Sequence, residues 1–193
     1  MKRRNGFVSN SSSSSFIVNL GRKMPKTVEE MKKALKLTDY KIGENYFDVK
    51  EEDLSKVFEI LFNTLCDEKK RIKSLSALKK KLLNELQHEA YYSYRDVAEC
   101  GYAVDDYGPD GLDKKMTQKE RMKLFDLKWK RSNKRCREIA QKMLEESTLM
   151  KDFDPTKDVV VKVEIGDEDG RLFGFIEHGD LLDNAKHVRH SHH

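Results

Sequence analysis

Polar and apolar positions alternate in period along this chain, and the changes of period mark its elements. Residues 6 to 10 are followed by five serines and then by Phe16-Ile17-Val18-Asn19-Leu20, which has strand composition. Met24-Pro25 breaks that pattern, and Thr27 with Glu30 is a capping-box start for a short helix to about Leu37. Val28, Met31, Ala34 and Leu35 carry its helical spacing. Tyr46-Phe47-Asp48-Val49 reads as a short extended piece or a turn. From 51 to 66, Leu54, Val57, Phe58, Leu61, Phe62 and Leu65 form a continuous apolar stripe, the best core helix in the chain.

A long helical pattern follows from about 69 to 98, with Ile72, Leu75, Leu78, Leu82 and Leu86 spaced three and four apart. The stretch 99 to 116, with Gly101, Gly108, Pro109 and Gly111, reads as a loop. Thr117 and Glu120 then open a second long helix to about Ser147, with Met122, Phe125, Trp129, Cys136, Ile139 and Met143 on one face. Two long helices joined by a loop predict an antiparallel pair. After Pro155 the period switches again. Val159–Ile165, an acidic Gly-bounded turn and Leu172–Ile176 predict a β-hairpin, and a further extended stretch runs from His187.

These elements predict an α+β fold: a small antiparallel sheet built from the N-terminal strand and the C-terminal hairpin, with a helical insertion between them. The expected organisation is a single domain over 1–193, with residues 67–147 as a helical hairpin arm within it. Charged residues equal apolar ones at 37% each, which fits a lean core with long solvated helices. The three cysteines form no C-x-x-C pair, arguing against a disulfide framework or thiolate zinc and for a reducing cytosol. No run reaches the length of a membrane span. Met1-Lys2-Arg3-Arg4 is followed by serines where a signal peptide needs an apolar stretch, so export by that route is not expected.

The segment Asn5-Gly6-Phe7-Val8-Ser9-Asn10, Ser11 to Ser15 and Phe16-Ile17-Val18 resembles the N-termini of a group of small uncharacterised proteins encoded by phages, prophages and bacteria. The likeness covers about fourteen positions. It implies a phage or mobile-element accessory protein and brings no catalytic role with it. Physically, Ser11, Ser12, Ser13, Ser14 and Ser15 offer clustered hydroxyls and amides for an anion or a modification, although a polar lead-in to a strand has the same composition.

The overall charge of +4 is mild, but its distribution is not. Lys69 to Lys81 and Lys119 to Lys142 are dense in Lys and Arg, so Lys79, Lys80, Lys128, Lys130, Arg131, Lys134 and Arg135 are candidates for binding nucleic acid or an acidic partner. Trp129 falls on the apolar stripe, which argues against base stacking. If the tail is a strand, His190 and His192 share a face, and His178 with Glu177 on the hairpin could complete a metal site. Glu164 and Glu177 are a second pair to place across that hairpin. No nucleophile elbow, P-loop or dinucleotide fingerprint occurs.

The expectation is therefore a non-enzymatic accessory protein without a cofactor, in the bacterial cytoplasm or the virion. Its partner is expected to be a protein, and it would act as a defence inhibitor or a virion component. Nucleic-acid binding by the basic helices is the alternative, and a small metal-dependent enzyme at the C-terminal histidines the third reading.

Overall fold

The computed structural model describes residues 13–43, 48–94, 116–166 and 170–192. Strand β1 (Ser13–Asn19) is followed by helix α1 (Val28–Ala34) and helix α2 (Leu54–Leu65), then by the two-residue strand β2 (Arg71–Ile72) and helix α3 (Leu75–Tyr94). Helix α4 (Gln118–Glu146), the short α5 (Leu149–Asp152), strand β3 (Val160–Gly166), helix α6 (Arg171–His178) and strand β4 (His187–His192) complete the order. The four strands form one antiparallel sheet in the order β2-β3-β1-β4. The fold is α+β, with three of the four strands drawn from the two ends of the chain and the short β2 from between them.

The described residues divide into two compact units, one drawn from Met1–Leu78 with Asp152–His193 and the other from Lys79–Lys151. The first holds the sheet. On one face of β1, Phe16 and Val18 join Val161, Val163 and Ile165 of β3, Met31, the α2 stripe of Leu54, Val57, Phe58, Leu61 and Leu65, and Phe175 and Ile176 of α6 in one apolar core. The α2 positions are those the sequence spacing selects, because residues three and four apart share a helix face. On the opposite face of β1, Ser15 and Ile17 are also buried. Burial on both faces is why the strand reads as a continuous apolar run rather than as an alternation.

The strand ends are fixed by polar side chains. Asn19 Nδ2 donates to the Asp152 carbonyl (2.6 Å) and to Asp158 (3.0 Å), and its Oδ1 accepts from Gly21 N (2.8 Å). Gly21 sits at φ +82°, where a side chain would be strained, and its carbonyl accepts from Val159 N. Thr27 caps α1 by accepting from Glu30 N, while Glu30 reaches back to Lys26 N instead of Thr27. Thr117 and Glu120 close the full reciprocal box that their spacing predicts.

Two expectations are corrected. Leu172–Ile176 is not the second strand of a hairpin but the body of α6. Leu172, Phe175 and Ile176 are spaced three and four apart, so the same run satisfies a helix, and the two edges of β3 where a hairpin partner would sit are held by β1 and β2. The turn expected between them falls partly outside the described residues. The helix expected over 69 to 98 begins only at Leu75, after Ser74 accepts from Ala77 N. Lys69 and Lys70 lie instead in a short 3₁₀ turn and Arg71 in β2. The loop expected over 99 to 116 lies, but for its last residue, outside the described part.

In the second unit, Leu82, Leu86 and Ala90 of α3 and Cys136, Ala140 and Leu144 of α4 are buried, each set stepping by four residues. In the first unit, Cys66 closes α2 and is half-buried. Burial pushes its thiol up to about 11. At pH 8 its thiolate population, and so its alkylation by iodoacetamide, is expected to be about a hundredfold below that of an ordinary cysteine. Peptide mass spectrometry after timed labelling checks this, and labelling as fast as that of free glutathione contradicts it.

Candidate functional site

The serine run enters the sheet, and its last members are structural. Ser13 opens β1, while Ser11 and Ser12 lie outside the described residues. Ser14 and Ser15 are buried. Ser14 Oγ donates to Glu177 Oε1 at 2.8 Å, and the Glu177 side chain has no solvent exposure. An added anion there would meet a carboxylate, and a modifying enzyme would meet a closed strand. Neither Ser14 nor Ser15 is therefore placed as an anion or modification site.

Arg189 of β4 completes this cluster. Its Nε approaches Ser14 Oγ at 3.4 Å, its guanidinium carbon lies 5.8 Å from the centre of the Phe16 ring, and a terminal nitrogen lies 3.2 Å from His178 Nδ1. A guanidinium can only donate, so Nδ1 is the acceptor in that bond and the proton of the neutral ring sits on Nε2. That nitrogen stands 3.5 Å from Glu177 Oε2. Ser14 Oγ thus donates a hydrogen bond to the Glu177 carboxylate and accepts one from Arg189. His178 contacts Arg189 and Glu177. The cluster clasps β1, β4 and α6 together.

The C-terminal histidines divide between the faces of the sheet. In the antiparallel register Phe16 faces Arg189 and Ser15 faces His190. Successive strand residues alternate in direction, so His178, which meets Arg189, lies on the Ser14–Phe16 side, and His190 is buried on the other. His192 pairs with Ser13 and follows His190, but its side chain lies outside the described part. The expected joining of His178 with His190 fails because it required a hairpin strand where α6 stands, and the part expected of His192 lies outside the described side chains. Among the described residues no three His, Cys, Asp or Glu side chains converge as a metal site would require. Glu164, likewise, faces Ser15 and pairs with Lys162 at 3.5 Å, apart from Glu177.

The basic candidates are largely displayed. Lys130, Arg131, Lys134 and Arg135 of α4 are exposed and Lys128 is half-buried, while Lys79 and Lys80 are exposed on α3. Two i,i+4 pairs, Lys134 with Glu138 at 3.9 Å and Lys142 with Glu146 at 3.7 Å, are solvent-exposed and contribute little to stability. The apolar stripe of α4 is buried only in its C-terminal half, at Ser132, Cys136, Ala140 and Leu144. Trp129, expected to point inward, is 41% exposed, and Met122 and Leu127 are 44% and 57% exposed. Trp129 and Phe125 lie nearly parallel, with ring centres 6.3 Å apart and planes inclined by 8°. The sequence held the signal for this in an aromatic pair four residues apart inside a run of lysines and arginines.

Among the described residues, no helix is long and apolar enough to cross a membrane. Comparisons with protein-family models, with curated proteins and with solved structures found no match.

Proposed function

We propose that this protein is a non-enzymatic accessory protein that works by binding an acidic macromolecule of host or phage along the basic face of α4. The observation that carries this reading is the charge of that helix. Between Lys119 and Arg137 stand nine Lys and Arg residues against Glu120 and Asp126 alone. Repulsion among so many like charges over roughly 27 Å of helix opposes the folded state, and an anionic partner relieves it. The sealed Ser14–Glu177 cluster supports a structural role for the serine strand in the same reading. The N-terminal resemblance supplies the context of a phage or mobile element, with the protein acting in the bacterial cytoplasm or in the virion as a defence inhibitor or virion component.

Retention on immobilised heparin tests the electrostatic core of this reading. The full chain is expected to bind at about 50 mM salt and to elute as salt rises, because neutralised anionic groups release counterions. The triple substitution Arg131→Glu, Lys134→Glu, Arg135→Glu is expected to abolish retention. A wild-type chain that flows through at low salt, or a variant retained like the wild type, overturns it.

A further inference from the structure

We infer that the N-terminal half of α4 is a stacking platform for single-stranded nucleic acid, with Trp129 and Phe125 as its aromatic centre; this deepens the reading of α4 as an acidic-partner surface and rests on it. At 100° per residue, Met122, Trp129, Cys136 and Ala140 fall within about 40° of one another around the helix. The same stripe that is buried at Cys136 and Ala140 is exposed at Met122 and Trp129. On that wheel Lys123, Lys130 and Arg137 flank it on one side and Arg121, Lys128 and Arg135 on the other, each about 80° to 120° away. The exposed Trp129 beside the half-buried Phe125 thus lies between cationic residues on both sides, of which Arg121 and Lys128 are half-buried and Lys123, Lys130, Arg135 and Arg137 exposed.

The choice of occupant follows from that combination. A second copy docking by the same face would set one cationic rim against another, and like charges brought together cost affinity. An acidic protein would answer the charges but would make no particular use of two parallel rings. Single-stranded DNA or RNA answers both, since phosphates track the basic rim while unpaired bases offer flat faces to the rings. A duplex keeps those faces inside its own stack, so it would engage the charges alone.

The lone tryptophan of the chain is Trp129, so its fluorescence reports on the platform without a label. Titration of the full chain with an oligothymidylate of about fifteen nucleotides is expected to quench that emission. The affinity is expected to fall with salt, with a logarithmic slope of about −2 to −3 for three or four phosphates neutralised. Trp129→Ala, followed by a labelled oligonucleotide, is expected to weaken binding roughly five- to a hundredfold, and Trp129→Phe to restore much of it. Both variants should keep wild-type heparin retention and thermal melting, as an exposed position predicts. The inference is overturned if the oligonucleotide binds without quenching, if Trp129→Ala binds it as wild type does, or if a duplex or an oligoaspartate quenches equally. If heparin retention is also absent, the underlying reading of α4 fails with it. Retention on heparin without any oligonucleotide binding removes the platform and leaves an acidic protein as the partner.

Discussion

Phe16→Ala is expected to cost about 3–5 kcal/mol of stability, the usual range for removing a buried phenylalanine ring. Phe16 is almost fully buried in β1, which bonds β3 on one edge and β4 on the other. Its ring enters the core shared with the α2 stripe and Phe175, and the Arg189 guanidinium lies over it. Alanine would leave a void where the central strand, both its neighbours and α6 depend on one side chain, and a rigid sheet closes around such a void only in part. Urea unfolding followed by circular dichroism should show the midpoint falling with the slope unchanged. Leu127→Ala, at a largely exposed position, is the control and should stay within about 0.5 kcal/mol of wild type. A Phe16→Ala loss below about 1 kcal/mol would mean that the core does not converge on this strand.

How far the sequence announces this architecture depends on whether local pattern or tertiary placement decides each element. Where a pattern admits one solution it is legible. The α2 stripe, the Thr117–Glu120 box and the apolar run of β3 each satisfy a single period, and the structure has all three. Residues 172 to 176 satisfy two periods, because a short apolar run fills a strand or one face of two helical turns equally well. As a hairpin strand it would need an edge of β3, and those edges are held by β1 and by the short β2, while the histidine-rich tail adds to the far edge of β1. The strand at Arg71–Ile72 is two residues long and too short to show any period at all. The candidate site follows the same rule. That Lys130, Arg131, Lys134 and Arg135 are displayed follows from charge density, since such residues are rarely buried. That Trp129 is displayed does not, because the apolar stripe of α4 is continuous in sequence while its burial stops near Ser132. Where a stripe runs out of cover depends on what packs there, and no residue of the stripe records that.

The second large effect concerns the clasp of Ser14 and Glu177, where the order in which partners are removed should matter more than how many are lost. Ser14→Ala takes away the hydroxyl that donates to Glu177 Oε1, while Oε2 already has no hydrogen-bond partner. A buried carboxyl group stripped of its donor keeps the full cost of leaving water, so this small substitution is expected to cost about 1.5–3 kcal/mol. Glu177→Met, of similar bulk, removes the demanding group itself and leaves Ser14 to Arg189, so its cost should be smaller, about 1 kcal/mol. Once the carboxyl is gone, Ser14→Ala removes little more. The double variant is therefore expected to lie within about 1 kcal/mol of wild type, because replacing both members of a buried polar pair by apolar groups can be nearly neutral. The resulting coupling of about 1.5–3 kcal/mol, read from urea midpoints of the four proteins, would mark the two side chains as one unit. Strict additivity would mean that the hydroxyl and the carboxyl are held independently. Heparin retention of all four should be unchanged, because the clasp belongs to the sheet unit and the basic face to α4 in the other. A loss of retention in Ser14→Ala without loss of stability would give the serine strand a share in binding and return the buried cluster to consideration as a functional site.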